Sequence, residues 1–451
     1  MKIKNINKIN KIAILTASLL SSSLILNTQA FSADSSTEYD LNALEKALTK
    51  LKVQFIDGTK DLSSAKNIFF GLSDNFSNYI ASTHNTRTSI SLLKEKVELP
   101  NYSLLFGGAI ETTQQVWDGS IMPYRDNPYP LTNSNKSNGN GAYVERATLD
   151  FLGNFGDWVS FYIRIFAAGQ DAKSYGLKDA FFLLGNLSKS PFYASVGLNY
   201  LPFGNFDIDA APVTNGLNST YFYAGNTYEQ INLGYSQNGL HGDVALFVNS
   251  NDEGTGNISS INDFAANVDY TGKINPSTSF FVGAGYLNDA HATKLDFASL
   301  RNSSNKIPLA TVNGGITFNQ FSLSTIYTQA LKAADYCTKL NKTTSACPKN
   351  ITNKKPSAWS VQGSYDHTIY DKDTTFGLIY SQTHDMKNLG GALGSFGTDS
   401  YDPDGLKNSW NFYITRPFFV DNFMVSLDIQ RAKSYTGKYS NVYSLDQFLI
   451  F

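Results

Sequence analysis

Stretches that alternate apolar and polar residues occupy most of the chain beyond residue 100. In residues 159–165, apolar side chains take every second position, and polar or hydroxyl-bearing side chains stand between them. Residues 410–415 repeat this pattern, as do 423–430 apart from Met424. Successive side chains of a β-strand point to opposite faces, so the pattern predicts strands with one apolar and one polar face.

Sixteen strands are predicted in this way. They lie near 102–117, 142–152, 158–168, 178–185, 192–201, 226–235, 243–249, 263–272, 279–287, 311–318, 321–328, 358–366, 374–383, 407–415, 423–431 and 441–451. The connections after odd-numbered strands are mostly long, and those after even-numbered strands are short. The long connections are 118–141, 202–225, 288–310, 329–357 and 384–406; the short ones include Gly153–Asp157, Lys273–Thr278 and Asn319–Gln320.

Such an alternation of long and short connections is typical of outer-membrane barrels, whereas a soluble β-sandwich gives no reason for it. The sequence therefore predicts an all-β fold over 101–451, a transmembrane barrel of about 16 antiparallel strands with a polar lumen. Aromatic clusters at strand ends, Tyr221–Tyr223 and Phe418–Phe419, fit the girdles of a membrane barrel. Strands are also rich in aromatic residues in general, and that reading stays open.

The composition narrows the class of protein further. Charged residues make up 16% of the 451 residues and aromatic residues 14%. The chain is too aromatic for a disordered protein and too poor in charge for a nucleic-acid binder, so no nucleic-acid partner is expected. Beyond the first thirty residues there is no apolar run of about 18, which excludes a bundle of membrane helices.

The first thirty residues predict export. Four lysines precede a mostly apolar run, Ile12–Leu26, and Thr28–Ala30 fits a cleavage site with small residues. This is typical of a secretory signal peptide over 1–30; the alternative is an uncleaved anchor helix. With the barrel pattern, it predicts an outer-membrane location and outer-membrane lipid as surroundings.

Residues 31–100 are assigned to a periplasmic N-terminal segment. Leucines at 41, 44, 48 and 51 predict a short helix with a coiled-coil-like seam, which either self-associates into a homo-oligomer or packs on something larger. Further helical fragments are predicted around 62–70 and 89–97. An even number of strands leaves both ends of the barrel on the short-turn side, where a periplasmic segment has to be.

The last strand carries an assembly signal. Tyr443, Leu445, Leu449 and Phe451 fall on one face at a period of two, with Gln447 as the exception. A strand of this kind ending in an aromatic residue is similar to the signal bound by the barrel assembly machinery of the outer membrane. The alternative is a chance phenylalanine at the end of an aromatic-rich chain.

The two cysteines, Cys337 and Cys347, lie ten residues apart in a polar stretch, and we predict one disulfide that closes a surface loop. Their spacing does not fit a redox or metal pair. The chain lacks Gly-x-Ser-x-Gly and His-Glu-x-x-His, and no histidine is predicted beside a serine on a strand. We therefore expect no catalytic residues, no metal and no cofactor, and we expect that the protein is not an enzyme.

A barrel of about sixteen strands leaves an aqueous channel, so solute would meet the inward side chains. The alternation places five charged residues inward as substrate-binding candidates: Glu111, Arg146, Asp150, Arg164 and Asp428. Arg146 and Arg164 are predicted to lie opposite one another across the turn Gly153–Asp157. Left unneutralised, they would form an anion site fit for a citrate-like siderophore; paired with Asp150 and Glu111, they would be only wall charge.

The order of these parts resembles a known family. A signal peptide, a leucine-spaced helix, the opening strand Asn-Tyr-Ser-Leu-Leu-Phe-Gly-Gly at 101–108 and an aromatic-rich barrel ending in Phe are similar to the LbtU-type siderophore porins, with their FslE/FupA paralogues. The resemblance covers most of the mature chain. It implies an outer-membrane protein of iron acquisition that passes ferric siderophore or ferrous iron without a TonB-type plug.

Two other functions stay open at this point. One is a general, anion or sugar diffusion porin. The other is a structural outer-membrane protein that binds a partner through its N-terminal helix.

Overall fold

The computed structural model describes residues 68–70, 88–119, 138–168, 174–223, 227–248, 261–293, 295, 306–337, 351–387, 389 and 405–451. The chain divides into two units, Met1–Lys66 and Asn67–Phe451, and every described residue belongs to the second. The predicted signal peptide and the leucine-spaced helix lie outside the described residues and stay predictions.

The described chain consists mainly of β-strands. The strands are β1 (Ile68–Phe70), β2 (Ser103–Gly119), β3 (Asn138–Phe155), β4 (Val159–Ala168), β5 (Ser174–Gly185), β6 (Phe192–Tyr200), β7 (Thr227–Gln237), β8 (Leu240–Val248), β9 (Ile261–Asn275), β10 (Thr278–Leu287), β11 (Leu309–Phe318), β12 (Phe321–Ala330), β13 (Ala334–Cys337), β14 (Ile351–Lys354), β15 (Ser357–Ile369), β16 (Lys372–His384), β17 (Leu406–Pro417), β18 (Phe423–Ser434) and β19 (Tyr439–Ile450). The helices are α1 (Thr88–Glu98), α2 (Leu217–Phe222) and two 3-10 turns, Phe206–Asp209 and Ala290–Thr293. Within the described ranges, no helix is long and apolar enough to cross a membrane.

Sixteen of these strands close into one antiparallel barrel. Each pairs with the next along the chain, except that β12 pairs with β15, because β13 and β14 form a separate hairpin. The ring is completed where β19 pairs with β2. The predicted fold class is confirmed, and each predicted strand overlaps an observed one.

The connections make the two ends of the barrel different. At one end, which we call the short-turn end, strands are joined by turns such as Asn238–Gly239, Pro276–Ser277 and Tyr370–Asp371. Asn238 and Gly239 both have positive φ, 52° and 83°, as a tight two-residue hairpin requires. At the other end, the long-loop end, most connections are long, for example 331–356.

The two faces of the barrel wall have opposite chemistry. Outward positions carry exposed apolar side chains such as Phe182 and Leu233, whereas inward positions carry buried polar ones such as Ser195 and Asp150. This is the reverse of a soluble domain and is typical of a barrel in lipid. Exposed aromatic residues mark the short-turn end: Tyr102, Trp158, Phe192, Tyr370, Phe418 and Phe419. The girdle prediction fails for Tyr221 and Phe222, which are buried inside the barrel.

Helix α1 lies against the inner wall near the short-turn end. Its Leu92 and Leu93 are fully buried in one apolar cluster with inward residues of β2–β6, among them Leu183. The Lys96 Nζ donates a hydrogen bond to the Gly185 carbonyl at 3.0 Å. The helix predicted near 89–97 is therefore present, but it covers an apolar patch of the wall that the alternation pattern did not reveal.

Strand β1 lies at the seam between the first and last barrel strands. It pairs in parallel with Leu104–Phe106 of β2, the part of that strand that extends past the end of β19. The helical fragment predicted around 62–70 is thus wrong at Ile68–Phe70, where the chain adds a strand to an otherwise unpaired edge.

Phe451 closes the seam itself. Its N–H donates to the Gly108 carbonyl at 2.9 Å, and the Gly108 N–H donates to its carbonyl at 2.8 Å. Tyr443, Leu445 and Phe451 are exposed on the outer face, and Leu449 is half-buried there. Their role as an assembly signal stays a prediction. So does the disulfide, because Cys347 lies outside the described residues.

The packing at Gly108 generates the first prediction. A Cβ atom there would lie 2.7 Å from the Phe451 ring and would clash with the Thr148 carbonyl oxygen. We expect Gly108→Ala to destabilise the barrel by about 1–3 kcal/mol, as overpacking does. The outward Gly363 has open space around its Cα, so Gly363→Ala is the matched control. Heat-dependent gel mobility measures both, and equal unfolding temperatures would contradict the seam packing described here.

Candidate functional site

The candidate site is the interior of the barrel. The connection between β6 and β7 folds into it, and we call its described part, residues 201–223, the inner loop. It contains the turn Phe206–Asp209 and helix α2. Its apolar side chains, including Phe206 and Leu217, are fully buried in one cluster with wall residues such as Phe247.

The inner loop crosses to the opposite wall. The Asn218 side-chain amide donates to the Ala358 carbonyl of β15 at 3.0 Å, and Asn218 Oδ1 accepts from Thr328 Oγ1 of β12 at 2.8 Å. The Leu217 N–H donates to Ser381 Oγ of β16 at 2.9 Å. Because these strands lie far around the ring from β6 and β7, the loop divides the lumen.

One buried carboxylate organises the inner loop. Asp209 accepts hydrogen bonds from the N–H groups of Asn218, at 2.9 Å, and Ser219, at 3.0 Å, and also from the Ser219 hydroxyl. Ser360 Oγ of β15 donates to the same carboxylate at 2.7 Å. Burial raises the pKa of Asp209, and these donors oppose that shift. Gly216 is required beside it, since a Cβ there would lie 2.6 Å from Asp209 Oδ2.

Asp428 holds the other part of the inner loop. It faces inward from β18, and its Oδ2 accepts from the N–H groups of Val213 and Thr214 at 2.8 and 3.0 Å. Asp428 was predicted as a lumen residue that binds solute. The structure places it inward, but one of its carboxylate oxygens is occupied by the chain itself.

The other four predicted residues also face inward and form ion pairs. With Asp179 of β5, they make up what we call the ionic belt. Arg146 Nε lies 2.5 Å from Glu111 Oε2, and Arg164 Nε lies 2.6 Å from Asp150 Oδ1. Asp179 Oδ2 is 3.9 Å from Arg164 Nε. The belt runs across β2, β3, β4 and β5.

The predicted juxtaposition of Arg146 and Arg164 is wrong. Arg164 lies opposite Asp150, and Arg146 lies opposite Glu111. The reason is the turn: β3 continues to Phe155, so the reversal comes at 156–158 and not at Gly153–Asp157. Gly153 is a strand residue covered by the Phe161 ring. Each of these two arginines is therefore paired with a carboxylate, and they do not form an unneutralised guanidinium pair.

A further buried cluster was missed from the sequence. His241, predicted in a turn, lies on β8 and faces inward, with Nε2 2.9 Å from Asp243 Oδ2 and Nδ1 3.0 Å from Asp269 Oδ2. The Tyr193 hydroxyl donates to Asp243 Oδ1 at 2.7 Å. The His-x-Asp spacing at 241–243 could have indicated it, because residues two apart on a strand share a face.

Carboxylates outnumber cations on the described inner wall. Asp428 and Asp446 add to the belt's three acids, and Asp243, Asp263 and Asp269 line β8 and β9. Against them stand Arg146 and Arg164, with Lys178 near Tyr200, His241 between its carboxylates, and Lys306, whose Nζ lies 2.6 Å from Asp263 Oδ1. Among the described residues, no group of three or more His, Cys, Asp or Glu could hold a metal ion.

Inward side chains that meet water lie mainly on β11, β12 and β15 near the short-turn end. Ser322, Ser324, Gln362 and Ser364 are partly exposed, and Asp366 is exposed. This part of the wall offers hydroxyl and amide groups together with one carboxylate. A hydrated solute would therefore find a polar surface there.

Comparison with known proteins places the chain in a family. Residues 69–306 match DUF3573, described as a protein of unknown function. The chain belongs to the DUF3573 family. A UPF0422 protein of Coxiella burnetii is 26% identical over 253 residues, which are 52% of this chain and 50% of the relative. The chain thus spans about half the length of the curated relative that it matches.

Solved porins share the fold of this DUF3573 barrel. OmpF of Salmonella typhi, in complex with daunomycin, has a TM-score of 0.51 at 14% identity and covers 78% of this chain and 98% of its own. The anion-selective porin of Comamonas acidovorans has a TM-score of 0.50 at 10% identity, over 78% and 100%. The protein is an outer-membrane β-barrel. These matches do not test the resemblance to LbtU-type siderophore porins, which stays a prediction.

The ionic belt gives the second prediction. In the DUF3573 barrel, Arg146→Ala leaves Glu111 buried without its partner, since both side chains are at most 10% exposed. Removing one member of such a pair costs about 3–5 kcal/mol, whereas replacing both by apolar groups costs far less. We expect Arg146→Ala to unfold at lower urea concentration than the double variant Arg146→Met with Glu111→Leu. Equal midpoints would show that the pair is not a buried ion pair.

Proposed function

We propose that the protein is a diffusion channel of the outer membrane that prefers cations. The observation that carries the proposal is the inner wall, where buried carboxylates outnumber guanidinium groups and an inner loop divides the lumen. A sixteen-strand barrel is wide enough for water, whereas a barrel of about eight strands is filled by its own side chains.

Fixed negative charge in a low-dielectric wall raises the local concentration of cations and lowers that of anions. Glu111 and Asp150 are each matched by an arginine, whereas Asp243 and Asp269 share one histidine, His241, and Asp428 is bonded only to uncharged groups of the inner loop and has no basic partner in the described chain. The excess lies on β8, β9 and β18, around the lumen from the belt. A cation therefore experiences a favourable potential along several sides of the channel.

The inner loop sets the size of solute. Its anchors, Asp209 to Ser360 and Asp428 to Val213 and Thr214, hold it against β15 and β18, across the lumen from the strands β6 and β7 that it connects. Water-accessible polar side chains remain on β12 and β15 beside it. Passage of small hydrated solutes fits this arrangement better than passage of a large folded ligand.

The resemblance to siderophore porins adds a narrower proposal, iron uptake. An acid-rich lumen favours a ferrous ion over a ferric polycarboxylate siderophore, which carries negative charge itself. The resemblance implies uptake of either ferric siderophore or ferrous iron, and the acid-rich inner wall supports ferrous iron. The paired arginines also offer no free anion site for a citrate-like ligand.

Ion selectivity tests the proposal. We expect purified protein in a planar bilayer with a KCl gradient to give a reversal potential that shows cation preference. Asp366 is inward and exposed, so Asp366→Asn should reduce that preference. Asp421, exposed in the turn between β17 and β18, carries the same charge, and Asp421→Asn is the control that should leave selectivity unchanged.

Anion preference in the wild-type channel would contradict the proposal. Protein that inserts and folds but forms no channel would also contradict it, and would favour the structural role that the sequence left open.

A further inference from the structure

Three adjacent polar side chains lie on the outer face of the barrel, in the middle of its apolar band. Thr112 and Gln114 of β2 and Gln447 of β19 all point outward, and we call these three residues the amide patch. Their outward neighbours along the strands are apolar and exposed, such as Ile110, Val116 and Leu445. The patch includes Gln447, the residue that breaks the apolar alternation of the last strand.

The depth of the patch places it in hydrocarbon. Gln447 lies four residues from Phe451, which at about 3.3 Å per residue and a tilt of about 40° is roughly 10 Å from the aromatic end. The apolar band of a membrane barrel is about 25 Å tall. The patch therefore sits near the middle of the band, where carboxamides are unfavourable unless something polar covers them.

The three side chains form hydrogen bonds with one another, but these bonds do not use all of their N–H donors. Gln447 Oε1 accepts from Thr112 Oγ1 and from Gln114 Nε2, both at 2.9 Å, and Gln447 Nε2 donates to Gln114 Oε1 at 3.2 Å. Each glutamine donates only one of its two N–H groups within the patch. Acyl chains cannot accept the other, but the carbonyl of another carboxamide can.

The surface beside the patch is concave. A groove of about 540 Å³ lies between strands β18, β19, β2 and β3, lined by Gln114, Val116, Ala142, Leu427, Tyr443 and Leu445 among others. The aliphatic and aromatic side chains form its rim, and the amide patch borders one side. Such a groove accepts protruding side chains of a neighbouring barrel.

Of the three connections at the long-loop end of this sector, two are short in sequence, and the third, 120–137 between β2 and β3, is long. Only residues 435–438 join β18 to β19, and only 169–173 separate β4 from β5. The six strands from β18 to β5, which include the outer strand at each of these connections, span about 29 Å at about 4.8 Å each. Over a band of about 25 Å this is roughly 700 Å², close to the about 800 Å² per partner of a stable interface.

We propose that the amide patch and its groove are the interface with a second copy of this chain in the outer membrane. A carboxamide donates and accepts alike, so an identical surface can satisfy the N–H groups that lipid leaves unpaired. The three residues of the amide patch are uncharged, so two copies can approach there without electrostatic repulsion. The inference is independent of the channel's selectivity.

Cross-linking in the native membrane tests it. A photoreactive residue replacing Leu445, on the rim of the groove, should yield a cross-linked species whose mass is a multiple of the chain. The same change with Gln114→Leu and Gln447→Leu should reduce that species at least tenfold while heat-resistant barrel remains. Thr325→Leu is the matched control, because Thr325 is also polar, outward and at mid-strand but lies on β12.

Each outcome of the cross-linking experiment either supports the interface or contradicts it. Loss of the oligomer in the double variant, with retention in Thr325→Leu, supports the interface. Absence of a homo-oligomeric product from wild-type membranes, a product containing a different protein, or an unchanged yield in the double variant would each overturn it. A double variant that fails to fold is replaced by Gln447→Leu alone, for which the same reduction is expected.

Discussion

Closure of the sheet in lipid is the constraint on which the rest of the molecule depends. Hydrocarbon offers no partner to a backbone N–H or carbonyl, so the first and last strands have to pair with each other. They do so from Ala109 to Gly119 on β2 and from Ser440 to Ile450 on β19, and Phe451 extends the ladder to Gly108. Closure turns the apolar face of every strand outward and encloses the polar faces.

Enclosed polar groups need partners, and the interior is arranged to supply them. Arg146 and Arg164 neutralise acids on neighbouring strands, whereas Asp209 and Asp428 accept N–H groups from the inner loop. Asp428 both holds the loop and belongs to the acids on which the proposed preference for cations rests. The proposal therefore links the position of the loop to ion selectivity through this residue.

The sequence alone predicted what depends on local periodicity. The period of two located the strands and the inward direction of Glu111, Arg146, Asp150, Arg164 and Asp428. It did not predict register, because Gly153 indicates a turn but packs under Phe161 within a strand. It did not place the inner loop, because the bond from Ser360 to Asp209 joins residues 151 positions apart. The burial of Tyr221 and Phe222 follows from that long-range contact and has no local signal.

The single-channel conductance of Asp209→Ala tests most directly whether this carboxylate holds the inner loop across the lumen. The variant removes the acceptor shared by Asn218, Ser219 and Ser360 but leaves the barrel strands unchanged. The conductance should exceed that of the wild-type protein, since the loop loses one of its attachments to β15, the bond from Ser360. An unchanged conductance from correctly folded Asp209→Ala barrels would contradict this role of Asp209.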